Sequence, residues 1–217
     1  MKLSTRLLLC LSIFCTLAGT ASASLVLSLR PDRLAIGPQQ NVTVDVVISG
    51  LQSGGVNSLL GAFDLTLQFD PDVLQLLTVP STLGTALGDP ADPGQTLVGG
   101  DTSTPGLFRF FEVSFLEASL NSCVFCTGPY LENLQSDSFT LASLVFYAPG
   151  PYSGALFTTF MLVDTLLSDA AGNEIDGVTI RNAGVRIPEP DGWVLLATAA
   201  FAAAAVGRRR RIVPVVR

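Results

Sequence analysis

Residues 63–69 read FDLTLQF, with every odd position apolar and every even position polar. Successive side chains on a strand point to opposite faces, whereas a helix would scatter these residues around its circumference, so this alternation fits a strand with one buried face. Phe63, Leu65, Leu67 and Phe69 are therefore expected in a core. Residues 42–48, VTVDVVI, repeat the pattern with Val42, Val44, Val46 and Ile48 on one side. Two half-apolar strands of this kind need a second layer to cover them.

The remaining pattern is also β. Residues 25–29 form a first strand, ended by Arg30-Pro31-Asp32. After Phe69, Asp70-Pro71-Asp72 stops the strand; Asp70 caps free N–H groups, Pro71 takes the first helical position, and one short turn carries Val73 and Leu74. Residues 81–104 are rich in Gly, Pro and Asp without a period and read as loop, with at most a short strand at 96–98. Further strands are expected at 107–115, 138–147, 154–163 and 177–187. Phe110 and Phe111 are adjacent, which suggests a β-bulge where the apolar face changes sides. Gly172-Asn173 marks a turn. No amphipathic helix of useful length precedes Trp193. Seven to nine strands make an all-β domain over residues 24–187, a β-sandwich of Greek-key or jelly-roll type.

Both ends carry different signals. Lys2 and Arg6 precede an apolar run at 7–17, and Ala21-Ser22-Ala23 offers small residues for cleavage, which predicts a signal peptide over 1–23 and a mature start at Ser24. Leu9 and Phe14 precede Cys10 and Cys15, so the small residue of a lipoprotein signal is missing. Residues 188–217 comprise Pro188-Glu189-Pro190, an apolar run at 193–206 opened by Trp193, and Arg208, Arg209, Arg210 and Arg211. Two prolines in three residues keep the backbone extended and open to an enzyme that grips it. The apolar run suits a transmembrane helix with its arginines on the cytoplasmic side. At 1.5 Å per residue it spans only about 21 Å of a hydrocarbon layer about 30 Å thick, which favours a transient anchor. An ordinary tail anchor with arginines snorkelling to the interface is the alternative.

This tail resembles the PEP-CTERM sorting signal of Gram-negative bacteria that export exopolysaccharide, in which the Pro-Glu-Pro motif, a short transmembrane helix and an Arg-rich end come in that order. The resemblance implies that an exosortase recognises Pro188, Glu189 and Pro190 and cuts nearby. The upstream part would pass from the inner membrane to the cell surface or extracellular matrix.

Residues 24–187 hold sixteen acidic residues against five arginines, a net charge of −11, which repels phosphate backbones and argues against nucleic acid. The sequence contains no histidine, which removes Ser-His-Asp and Cys-His catalysis and every His-bearing metal site. Its only lysine, Lys2, lies in the predicted leader, so Schiff-base and P-loop chemistry are excluded too. Paired carboxylates of a glycoside hydrolase remain within reach of the composition, but acidic residues on strand faces and in loops ordinarily serve solubility. The chain is expected not to be an enzyme and to need no cofactor. Asp70 with Asp72, or Asp169 with Asp176, offer oxygen ligands of the kind calcium takes, although neither run has the spaced ligands and closing glutamate of a calcium loop. Cys123 and Cys126, in NSCVFCTG, read as a small disulfide staple. A redox pair would sit at a helix N-terminus, whereas Asn121, Gly128 and Pro129 are turn formers. Tyr130, Tyr147 and Tyr152 are candidates for a sugar-stacking platform; core filling and loop closure are the competing roles. Asn41-Val42-Thr43 matches a glycosylation sequon without bacterial significance.

Residues 25–77 resemble the start of cohesin modules and their relatives in the carbohydrate-binding-domain superfamily, through VTVDVVISGL, LLGAFDLTLQFDPDVLQLL, and above all Phe69-Asp70-Pro71 followed by Val73 and Leu74. The resemblance implies a cohesin-like sandwich that binds extracellular polysaccharide or a surface protein. The expected protein is thus exported, held for a time by its membrane helix, and processed. The alternatives are a structural or adhesive matrix protein that self-associates through an edge strand, and a permanently anchored ectodomain.

Overall fold

The computed structural model describes residues 25–52, 59–150, 152 and 156–188. Ten strands make two five-stranded sheets that face each other. The first sheet contains β1 (Val26–Pro31), β2 (Asn41–Ser49), β4 (Gln75–Leu83), β7 (Ser138–Tyr147) and β9 (Thr179–Arg181), in the order β4-β7-β2-β1-β9. The second contains β3 (Leu60–Gln68), β5 (Thr96–Asp101), β6 (Leu107–Ser114), β8 (Leu156–Asp169) and β10 (Ala183–Ile187), in the order β10-β8-β3-β6-β5. Every pairing between strands is antiparallel except β1 with β9. The helical pieces among the described residues are a 3-10 turn at Leu120–Ser122 and one helical turn at Leu131–Leu134.

The alternating segments supply the core. Val42, Val44, Val46 and Ile48 from β2 meet Phe63, Leu65 and Leu67 from β3, all buried. Burial at about 25 cal/mol per Å2 of apolar surface is the main force joining the layers. Aromatic rings bridge them: Phe146 on β7 lies with its centroid 4.8 Å from Phe160 on β8 and 5.1 Å from Phe69. The turn after β3 follows from Asp70, whose carbonyl accepts from the Leu74 N–H at 2.9 Å and whose carboxylate accepts from the Asp72 N–H at 3.0 Å. This turn buries Val73 and Leu74.

Five expectations need correction. Residues 75–83 form β4, and β5 runs to Asp101 instead of stopping at 98. β8 continues to Asp169 past a register shift where Thr66 and Leu67 pair with Asp164 and Leu162. Residues 177–187 form no single strand: β9 joins the first sheet and β10 the second, with Asn182 between them accepting from the Leu162 N–H at 3.1 Å. No bulge falls at Phe110 and Phe111, whose register with β3 and β5 is continuous. Phe110 simply points inward, and Phe111 points outward over Gly99, where a Cβ would come within 2.5 Å of its ring.

Candidate interaction face

The outer faces of the two sheets differ. On the first sheet the outward positions mix Thr43, Asp45 and Ser143 with the buried Ser28, Val47 and Val145, and Ser143 Oγ donates to Asp45 Oδ1 at 2.6 Å. On the second sheet the outward positions form cross-strand rows. One row runs Leu166, Asp64, Phe111, Gly99; the next runs Asp164, Thr66, Arg109, Asp101; a third runs Ser168, Ala62, Val113, Leu97. Phe157, Met161 and Leu166 on β8 and Leu97 on β5 are exposed, as is Val163 at the β8 irregularity. Among the described residues, every large hydrophobic exposed on a strand belongs to this sheet except Ile180. Contiguous water-facing apolar groups on one face are a feature of surfaces that take part in interactions, which makes this face the candidate.

Charge is organised on the same face. Arg109 forms a two-pronged ion pair with Asp64, with Nε to Oδ1 at 2.9 Å and Nη2 against Oδ2. The guanidinium holds the Asp64 carboxyl below its ordinary range, and Arg109 is pushed up in return. Asp101 is also lowered, first by the Ser103 N–H at 2.8 Å and then by the Ser103 hydroxyl. Solvent screens an exposed pair of this kind, so it adds little to folding. Its effect is to fix a planar cation between three carboxylates, Asp64, Asp101 and Asp164, whose fields all reach it.

A braced loop stands at the end of this face, just after β6. Cys123 and Cys126 are joined by a disulfide with Cα atoms 4.9 Å apart. The Glu117 carboxylate accepts from three successive backbone N–H groups, those of Val124, Phe125 (2.8 Å) and Cys126 (3.1 Å), which hold it below its ordinary range with the Phe125 N–H foremost. Val124 and Phe125 at the tip are 81% and 83% exposed. Nothing in the sequence pattern pointed to Glu117; the signal available was an acidic residue a few positions before a Cys-x-x-Cys turn.

Gln135 was likewise missed. Its buried amide accepts from the Leu60 N–H at 2.8 Å and donates to the Leu60 carbonyl at 2.6 Å, standing in for a neighbouring strand at the start of β3. A buried backbone group without such a partner costs about 1–3 kcal/mol.

The other residues singled out in the sequence are dispersed. Pro188 lies exposed just after β10, whereas Glu189, Pro190, Trp193, Arg208–Arg211, Ala21 and Ala23 lie outside the described residues. No helix among the described residues is long and apolar enough to cross a membrane. Asp70 is engaged in its own turn, and the Asp169 carboxylate accepts from the N–H groups of Ala171 and Asn173, both at 2.8 Å. No cluster of three or more metal-ligating side chains occurs among the described residues. The candidate tyrosines lie in different places: the Tyr152 hydroxyl donates to the Val73 carbonyl while its ring packs on the core, Tyr147 sits at the end of β7 on the first sheet, and the half-buried Tyr130 precedes the helical turn at Leu131–Leu134.

No protein-family model matches the sequence, and no characterised protein sequence matches it. Solved structures do. A type II cohesin domain from the cellulosome of Acetivibrio cellulolyticus is 17% identical, with a TM-score of 0.55 over 75% of this chain and 95% of that one. The sixth cohesin of scaffoldin B from the same organism, solved in complex with a mutant dockerin, is 15% identical with a TM-score of 0.54, covering 77% and 99%. A cohesin module from a Clostridium perfringens family 33 glycoside hydrolase is 10% identical with a TM-score of 0.51, covering 77% and 97%. The chain is an all-β sandwich of cohesin-like fold.

Proposed function

We propose that this protein is a non-catalytic, exported binding module that docks a protein partner on the outer face of the β10-β8-β3-β6-β5 sheet. The observation that carries the reading is the clustering of exposed Leu97, Phe111, Met161 and Leu166 around the Asp64 and Arg109 pair, whereas the apolar groups on the outward side of the first sheet, Val47 and Val145, are buried. Apolar groups around an oriented ion pair match a protein surface, with an apolar centre for affinity and charge for register. The excess of carboxylates here favours a partner with basic groups. Two neighbours with this fold were solved with dockerins, which supports a protein partner over a polysaccharide. We further propose export by residues 1–23, transient anchoring by 193–206, and processing by an exosortase at Pro188-Glu189-Pro190, on the sequence grounds above.

The test is site-specific photo-crosslinking of the full chain in its native host. A photoreactive amino acid at position 166 is expected to yield adducts of discrete mass that protease removes, and the same group at position 143 on the opposite sheet none. Carrying Phe111→Asp on the chain should reduce the adduct at least about tenfold, as for a central apolar contact. Equal adducts from both positions would contradict the assigned face. Adducts that only a glycosidase removes would make the partner a polysaccharide.

A further inference from the structure

Of the four strands that end the two sheets, three are closed to further pairing. β9 has only three residues. β10 is bonded along its free side by residues 34–36, with the Ile36 N–H donating to the Arg186 carbonyl and the Arg186 N–H to the Leu34 carbonyl, both at 2.9 Å. β4 loses register between Leu77 and Thr82 and carries Pro80 in its sequence. Among the described residues, β5 has no such protection. It reads TLVGGD, with no proline and no charge before Asp101, where edge strands ordinarily carry one or the other.

The backbone of β5 is set up to accept a strand. The Phe115 N–H donates to the Gln95 carbonyl at 2.8 Å, so Gln95 and, by alternation, Leu97, Gly99 and Asp101 direct their backbone groups to β6. Val98 and Gly100 therefore direct theirs to the free edge. Thr96 shares that edge, but its N–H is engaged with the Asp92 carbonyl at 3.1 Å. Beside β5 an apolar cleft of about 180 Å3 opens between the sheets, lined by Leu76, Leu83, Phe108, Phe110 and Leu144. Gly100 leaves it uncovered, since a Cβ there would meet the Phe108 ring at 3.1 Å. Val98, on the same side of the strand, is a 36% exposed apolar side chain.

We propose that β5 pairs antiparallel with β5 of a second copy of this chain, about a two-fold axis through Gly99. The pairing does not depend on the partner-binding reading; on the outer face it engages only Leu97 and Asp101 at the edge and leaves the positions around Phe111 and Leu166 open. Residues opposite each other in an antiparallel pair share a face, so a two-fold pairing can be centred only on a residue. Centred on Gly99, it sets Val98 opposite Gly100 of the second copy, and the outward N–H and C=O groups of both have no partner among the described residues, so each such pair exchanges two hydrogen bonds. Centred on Val98, it would set Gly100 opposite Thr96, whose N–H is engaged. The Gly99 register also seats each Val98 over the opening that Gly100 leaves in the other copy. Asp101 then faces Leu97 and meets no like charge.

The test is register-specific crosslinking in the full chain. Leu97→Cys with Asp101→Cys together should form a covalent dimer on a non-reducing gel, because those positions lie opposite each other in a pair whose side chains approach closely. Neither single variant should, since each cysteine is then four residues out of register with its own copy. Single variants that crosslink as well as the double one overturn the proposal, as does a double variant that melts like wild type and stays monomeric. Independently, light scattering on the unmodified full chain should show its mass doubling over about a hundredfold range of concentration, with Val98→Lys weakening dimerisation by at least about tenfold. A single-copy mass throughout that range overturns it.

Discussion

Glu112→Gln flattens the pH dependence of folding between pH 4.5 and about 7, where the wild-type chain loses about 3 kcal/mol to this one group. Glu112 points inward from β6, 1% exposed, between Phe63 on β3 and Val98 on β5, and neither carboxyl oxygen has a hydrogen-bond partner. Burial pushes its carboxyl up from 4.5 to about 7. Below pH 4.5 the group is neutral in both folded and unfolded chains and costs nothing through ionisation. As pH rises, the unfolded chain releases the proton first, so stability falls until the folded carboxyl also ionises near 7 and then levels off. Asp64, Asp101, Glu117 and Asp169 act oppositely, because their lowered carboxyls lose their contribution as pH falls through the acid range. The difference between wild type and variant isolates Glu112. It should grow in the variant's favour from pH 4.5 to 7 in urea titrations at fixed pH, and parallel profiles would show that the carboxyl is not held in this environment.

Phe146→Ala should cost about 3–5 kcal/mol, the range for removing a large ring from a core that cannot collapse around the gap. The ring is fully buried and touches Phe160 across the sandwich and Phe69 at the end of β3, so its loss separates the two sheets at their aromatic contact. The measurement is the urea midpoint with its slope checked for constancy. A loss below about 1 kcal/mol would mean that the neighbouring rings close the space and that the bridge does not join the layers.

Legibility followed the regularity of each strand. The buried positions of β2 and β3 were readable because FDLTLQF and VTVDVVI alternate without interruption, and Phe63, Leu65 and Leu67 are buried in the structure. β4 was not readable: Leu76 and Leu77 are adjacent, Pro80 follows, and its pairing with β7 slips at the same place. The end of β8 was lost because the irregularity at Val163 and Asp164 shifts the alternation by one, which puts Leu166 outside and Leu167 inside. The division of 177–187 rests on one side chain, Asn182, taking a backbone N–H from β8, and no periodic pattern carries that information. The candidate face is also hard to see along the chain. Leu97, Phe111 and Leu166 lie far apart in sequence, each reads as a core residue, and only the cross-strand register brings them outside in neighbouring rows.

Oxidative footprinting of the full chain tests the docking face most directly, by comparing protein in place on its native cells with the same protein purified. Side chains that a partner covers are shielded from solvent radicals. Met161, Phe157 and Phe111 should be oxidised several-fold less in place, with Tyr147 on the first sheet unchanged. Unchanged oxidation at all three, or protection confined to Tyr147, would contradict the assignment of this face.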